Sequence, residues 1–518
     1  MAVTKGTVRE GTIRAVGGRD GSGVIAVWRR SSLSADGSLT GPKRLRGILA
    51  GFKIQPSLAH MILVRSIVAS GTVALSALAY TAGAAASGVR APMQPRTATA
   101  KDTGYRALDS TLALATFDSA WRTVGASLTG RGVTRIDWPA VSRELRPRAA
   151  RAESDSALRA VVSDMLSRLG ESHFAIMPPP SSSRAAGSAA DATLGTAGLV
   201  VRLVDQRIIV WRTDSVGPAQ RAGVAPGWTV EQVDEVALPT LGVADTLPAR
   251  RLAVLVGAMN ALRGAPGSPV RIVGHDAAGV RRDVSFTREA IHGPTARFGN
   301  LPPLPASVEL TRRTLADGRC IGVIRFEYWM PPVMPALDKS VDAVRGCAGV
   351  VLDLRGNLGG VAGMMMGAAG HFLNEPRTLG TMRTRGDEMR FVANPRRATD
   401  AGVPVEPFGG PVAIVVDGLS ASTTEMFAAG LQSLGRARVF GERTAGQALP
   451  AMATKLPSGD VLMHVVADFV AADGSAIEGS GVVPDELVAL TRADVVAGRD
   501  APLEAAVRWI KRAGPSPR

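Results

Sequence analysis

The chain has 518 residues, 46% hydrophobic and 20% charged, which suits about three domains with buried cores and excludes global disorder. Its formal charge of +15 raises the question of nucleic acid, yet residues 1–60 alone carry ten Lys+Arg against three Asp+Glu. No basic patch interleaved with aromatics follows, so the charge reads as diffuse arginine usage and no nucleic-acid partner is expected.

Residues 1–60 are rich in Gly, Ser and Arg with little periodicity, and read as a non-native or disordered extension. Met61-Ile62-Leu63-Val64-Arg65 then opens an apolar run that closes on Ala84-Ala85-Ala86-Ser87. A short basic start, an apolar centre and small residues at the end describe a secretory signal over 61–86, cleaved near Ala84 or Ala86. The run is too short and too rich in Ala, Ser and Gly for a permanent anchor. Membrane contact is therefore expected only through this transient segment, and the mature chain is expected to be periplasmic or secreted. In that compartment the two cysteines, Cys320 and Cys347, either pair or remain buried thiols.

Residues 87–104 form a polar, Pro-containing linker, and 105–180 a helical subdomain. Apolar residues recur at three- and four-residue steps over 108–128, 138–151 and 154–169. The last helix stops at Gly170, and Glu171-Ser172-His173-Phe174 follows. After a Pro/Ser/Ala/Gly linker over 178–193, residues 194–290 are strand-rich with glycine punctuation. Gly198-Leu199-Val200-Val201 and Pro218-Ala219-Gln220-Arg221-Ala222-Gly223-Val224 resemble a PDZ domain. The resemblance implies that Gly198, Leu199, Val200 and Val201 bind the terminal carboxylate of a peptide added as an extra strand.

Residues 300–515 alternate strands and helices, the pattern of an α/β core. The apolar run 350–354 ends in Arg355-Gly356-Asn357-Leu358-Gly359-Gly360, where Gly359 and Gly360 let backbone approach a ligand and open a helix. Further on, the β-branched run 412–416 turns at Asp417-Gly418 into a helical pattern from Thr423. A strand turning sharply into a helix can expose a hydroxyl nucleophile at the corner, here Ser422. The helix N-terminus supplies N–H groups and a positive dipole for an oxyanion. The other reading is that Ser420, Ser422, Thr423 and Thr424 only cap the helix.

Three motifs decide between them: Val351-Leu352-Asp353-Leu354-Arg355-Gly356-Asn357-Leu358-Gly359-Gly360, Ser420-Ala421-Ser422-Thr423-Thr424-Glu425, and Gly441-Glu442-Arg443-Thr444-Ala445-Gly446. In this order and spacing, the chain resembles the carboxy-terminal processing (tail-specific) serine peptidases of the S41 type over roughly residues 105–515. The resemblance implies a crotonase-like ββα spiral catalytic core beside the PDZ-like and helical subdomains, no cofactor and no metal, and Ser422 as nucleophile. One feature departs from it. Members with a Ser–Lys dyad carry a lysine where this chain has Gln447, and past Lys339 only Lys455 and Lys511 remain. The base must come from elsewhere.

Six histidines are available. His60 precedes the signal, His275 and His292 lie in or just after the PDZ-like region, His371 sits in an apolar helical pattern, and His464 alternates within a strand pattern. Ser172-His173 resembles the Ser-His pair of the tricorn-core branch, which adds a Glu matching Glu478. That implies a Ser422/His173/Ser172/Glu478 site, with Thr423 N–H and Gly359 or Gly360 N–H as the oxyanion hole. A neutral imidazole suits proton abstraction near pH 7. The implied activity is cleavage of unfolded or C-terminally presented polypeptides with a free C-terminus. The rival readings are a non-catalytic protein of the same fold that binds apolar ligands or peptides, and a crotonase-type acyl-CoA enzyme.

Overall fold

A computed structural model describes residues 6–8, 11–17, 24–29, 108–179, 195–242, 248–291, 294–296 and 304–513. The chain divides into two compact units, Met1–Ser66 and Ile67–Arg518. In the first, strands Gly6–Val8, Gly11–Gly17 and Val24–Arg29 form an antiparallel sheet in that order, within the stretch expected to be non-native or disordered. The expected signal segment, the linker at 87–104, His60 and His292 lie outside the described residues. Among those described, no helix is long and apolar enough to cross a membrane.

In the second unit, three helices come first: Ser110–Arg131, Trp138–Ala150 and Asp155–Ser167. Each begins on a side-chain cap, since Asp109, Asp137 and Ser154 accept the N–H groups of Thr111, Ala140 and Ala157. The stripe Phe117, Ala120, Val124, Leu128 meets Leu145, Leu158, Val162 and Met165 in one core. Leu449, Leu456, Leu462 and Val465 belong to that same core, so the helices fold onto the hairpin Ala451–Lys455/Val461–Val465. Strand Ala175–Met177 completes the join by pairing antiparallel with that hairpin.

A β domain follows, with strands ordered Arg281–Thr287, Pro269–His275, Thr229–Val233, Arg207–Thr213, Leu199–Val204. Helix Pro248–Leu262 buries Leu252, Leu255 and Leu262 with the domain's core. The sequence reading of this region named strands and turns and missed that helix. Its Arg-rich start and its glycine at 257 blur the apolar period. Leu199–Val204 is an edge strand.

The C-terminal region is built on a six-stranded sheet ordered Val308–Thr314, Cys320–Phe326, Gly349–Asp353, Val412–Val416, Ala437–Gly441, Glu486–Leu487, parallel except for its first strand. Strand Val412–Val416 is apolar throughout and Gly349–Asp353 is apolar up to its terminal Asp353, because both faces are covered. Helix Ala501–Ala513 packs Leu503, Ala506 and Ile510 against Ile321, Val351, Val415 and Phe440 on one face. Helices Met334–Ala343, Met364–Gly370 and Thr423–Ser433 belong to the core on the other. Cys320 and Cys347 form a disulfide at the starts of neighbouring strands, which settles the question of their pairing.

Candidate active site

Strand Val412–Val416 is followed by the turn residue Asp417, and five positions further on Ser422 stands at the head of helix Thr423–Ser433. Ser422 has φ 58° and ψ −123°, a backbone conformation that costs a non-glycine residue about 1–3 kcal/mol. Packing holds it there. Its N–H donates to Gln447 O at 2.8 Å and to Glu425 Oε2 at 3.0 Å, and Ala421 N–H donates to Asn357 O at 3.1 Å. Neighbouring hydroxyls are committed elsewhere, Ser420 to Leu354 O at 2.9 Å, Thr423 to Gly360 O at 2.9 Å and Thr424 to Asn357 Oδ1 at 2.9 Å. Of this cluster, only the Ser422 hydroxyl faces a histidine. The sharp strand-to-helix corner is the geometry that presents a nucleophile.

That histidine is His173, on the loop between helix Asp155–Ser167 and strand Ala175–Met177. Its Nε2 lies 3.2 Å from Ser422 Oγ, and its Nδ1 lies 2.6 Å from Ser172 Oγ. Ser172 Oγ donates onward to Glu478 Oε2 at 3.0 Å, and Ser172 N–H to Glu478 Oε1 at 3.0 Å. Ala448 N–H also donates to Glu478 Oε2, at 2.8 Å. The network assigns the proton to Nδ1, leaving Nε2 as the acceptor facing Ser422. His173 is 5% exposed, and burial alone pushes its imidazole down from 6.5 to about 3, so the resting ring is neutral. Burial pushes the Glu478 carboxyl up, while its three donors from Ser172 and Ala448 act the other way.

Gly359 and Gly360, with φ 95° and 149°, lie in the turn that passes against Ser422. A Cβ on Gly359 would stand 2.5 Å from Ser422 Cβ, and one on Gly360 2.3 Å from Trp329 O. The Gly359 N–H donates to Asn357 Oδ1 at 3.0 Å. Among the described residues, the N–H groups of Gly360 and Thr423 have no acceptor, so of the two glycines Gly360 is the one with a donor to offer.

Two buried residues that sequence reasoning passed over organise this corner. Asn357 links the glycine turn to the Ser422 turn through Gly359, Ala421 and Thr424. Glu425 accepts from Ser422 N–H, Thr444 Oγ1, Gly446 N–H and Gln447 N–H. Burial raises its carboxyl to about 7 against those four donors. Both stand inside motifs quoted above, and an acidic residue three positions into a helix is a capping signal.

The other described histidines lie in other networks. His371 bonds Asp338 and Arg345, His464 bonds Thr454, and His275 bonds Glu231. Gly198 to Val201 are well away in sequence and open the edge strand of the β domain, where Gly198 has φ 70°. Arg202, the next residue, is buried and pairs Asp417 Oδ2 at 2.8 Å, tying that strand to the turn that precedes Ser422. Among the described residues no group of His, Cys, Asp and Glu is arranged to hold a metal ion.

Residues 320–488 match peptidase family S41. The chain carries an S41 domain. It is 24% identical over 377 residues to a carboxyl-terminal-processing protease of Picosynechococcus, covering 71% of this chain and 81% of that one. It is 26% identical to the Synechocystis protein of the same description, covering 52% of this chain and 56% of the relative. The carboxy-terminal processing protease CtpA of Bacillus subtilis is 22% identical, over 55% of this chain and 54% of its own length. The chain thus spans little more than half the length of two of these three relatives. Among solved structures, a photosystem II D1 C-terminal processing protease superposes with TM-score 0.50 at 21% identity, covering 76% of this chain and 96% of that one. Mature CPAF gives 0.53 at 14% identity over 77% and 97%. The S41 domain therefore sits in a mixed α/β fold shared with these proteases. Its matched segment includes Ser422, Glu425 and Glu478 but not Ser172 or His173.

Proposed function

We propose that this chain is an exported serine peptidase that cleaves unfolded or C-terminally presented polypeptides. The observation that carries the reading is the continuous path Ser422 Oγ, His173 Nε2, His173 Nδ1, Ser172 Oγ, Glu478. Ser422 Oγ attacks the peptide carbonyl while His173 Nε2 takes its proton. As the imidazolium forms, Nδ1–H donates to Ser172 Oγ, whose own proton turns to the Glu478 carboxylate. A ring that burial makes a weak base at rest is thereby stabilised at the moment it charges. Thr423 N–H and Gly360 N–H receive the oxyanion. His173 then protonates the leaving amine, and water reverses the sequence to release the acyl group. The β domain acts as a PDZ-like module that brings in a peptide's free C-terminus, a reading supported by its edge strand Leu199–Val204, partly exposed at Leu199 and Val200, beside helix Pro248–Leu262. Export is supported by the signal-like 61–86 stretch and by the disulfide.

The test is labelling with a fluorophosphonate followed by peptide mapping. The adduct is expected on Ser422, and His173→Ala should suppress both labelling and peptide cleavage by several orders of magnitude, because serine is a weak nucleophile without its base. Full activity in His173→Ala, or an adduct elsewhere, rejects this site.

A further inference from the structure

The base does not belong to the sheet that carries the nucleophile. It is held at the end of the helical subdomain, on a four-residue stretch whose first and last residues, Gly170 and His173, both have positive φ (64° and 63°). Such a loop needs external ties to keep one conformation. On one side, Ser172 is bound to Glu478 through N–H and hydroxyl. On the other side the tie is Glu171, whose side chain is 9% exposed and grips two guanidinium groups, Arg131 at 2.7 Å and Arg135 at 2.6 Å.

Arg131 is the more confined of the two, with a side chain 4% exposed. Its Nη1 donates to Glu171, while its Nε and Nη2 both donate to Asp468 Oδ1 at 2.9 and 2.6 Å. Asp468 opens strand Asp468–Ala471, which pairs with Arg377–Arg383 in the catalytic region. One planar guanidinium at the last turn of helix Ser110–Arg131 thus spans the residue next to the Ser172-His173 pair and a strand of the catalytic region. A planar fork fixes distance and angle in a way that a flexible ammonium does not. Glu171 stays ionised in spite of its burial because Arg131 and Arg135 stabilise its charge, and that charge lies close enough to Glu478 to act on it.

We infer that Arg131 is a positioning residue for the His173 base, setting the approach of His173 Nε2 to Ser422 Oγ by clamping Glu171 to Asp468. This rests on the serine-peptidase reading. The clamp touches neither the peptide nor the reacting atoms, so its loss lowers kcat and leaves KM in place. A misplacement of about 1 Å costs up to ~100-fold in rate, and Arg131→Met is expected to lie between about 10- and 100-fold down.

The experiment uses the full chain and two readouts, steady-state cleavage of an unstructured peptide and the rate of Ser422 phosphonylation by a fluorophosphonate, which needs the base but no peptide site. Arg131→Met should slow both by a similar factor at unchanged KM. Arg131→Lys, which keeps the charge and one contact, should recover part of the loss. Arg146→Met, which removes an exposed pair with Asp118 in the same helical subdomain, should match the wild type. Should Arg131→Met fail to fold by circular dichroism, Glu171→Gln probes the same contact and should show the same kcat-only loss, smaller in size. Wild-type kcat and labelling rate in a folded Arg131→Met or Glu171→Gln, or a loss confined to KM, overturns the inference. A wild type whose Ser422 does not label, or a fully active His173→Ala, rejects the underlying site instead, so the two failures are told apart.

Discussion

At the residue scale, the two buried groups beside Ser422 pull stability in opposite directions as pH changes. His173 is held neutral down to about 3, whereas an unfolded chain protonates its imidazole from about 6.5. Its folded pKa is depressed, so the stability it contributes is present above 6.5 and is lost as pH falls towards 3, by as much as ~5 kcal/mol at the limit. Glu425 is the reverse case, raised to about 7 from 4.5. Its contribution is full below 4.5 and fades as pH rises through 7, by as much as ~3 kcal/mol. Urea unfolding from pH 3 to 8 checks both. Relative to wild type, His173→Gln should flatten the loss of stability between 6.5 and 3, and Glu425→Gln the loss between 4.5 and 7. Variant curves that run parallel to the wild type across those windows would reject the assignment of either group. Below pH 4.5 Glu425→Gln should also be less stable by about 1–3 kcal/mol, since an amide N–H would face a crowd of backbone and hydroxyl donors, and the deficit should shrink as pH rises through 7.

At the scale of elements, Leu199–Val204 is the piece whose geometry invites a partner, because one side of an edge strand offers unpaired N–H and C=O groups. A peptide that adds there and lodges its carboxylate at Gly198 to Val201 should lose affinity when its C-terminus is amidated. Matched free-acid and amide substrates should therefore differ in KM by about tenfold or more, the worth of one or two charge-assisted hydrogen bonds. Equal KM values would remove the capture role and leave Ser422 and His173 untouched. The strands, the glycine turn and the Ser422 elbow were legible in the sequence because each rests on local rules, namely apolar runs, turn residues and helix starts. His173 was found only through its likeness to a Ser-His pair in a related branch, since nothing local distinguishes it from the other histidines. Asn357 and Glu425 escaped because their work is non-local. Glu425 looks like an ordinary first-turn acid until the segment Thr444 to Gln447 folds over it. Helix Pro248–Leu262 was hidden among the glycine turns of a strand-rich stretch.

At the scale of the whole molecule, the covalent staple and the chemistry occupy opposite ends of the sheet. Cys320 and Cys347 stand at the beginnings of their strands, while the turns bearing Gly360 and Ser422 follow the strand ends. Replacing both cysteines by alanine frees a loop 27 residues long and should cost about 3–4 kcal/mol on the chain-entropy account, with kcat unchanged while the protein remains folded. A fall in kcat measured well below the melting temperature would contradict that separation. The same view gives the path from Ser422 to His173 a further meaning. The two residues are 249 positions apart, and Glu478 lies 306 from Ser172, so no local piece of the polypeptide contains a working proton relay. If the proposed site is the working one, an unfolded or half-made copy is chemically inert, with a hydroxyl no more reactive than any other serine. On the proposed mechanism, activity would switch on when the helical end docks onto the hairpin Ala451–Lys455/Val461–Val465, which would make correct folding the chain's own safeguard against digesting itself or its neighbours too early.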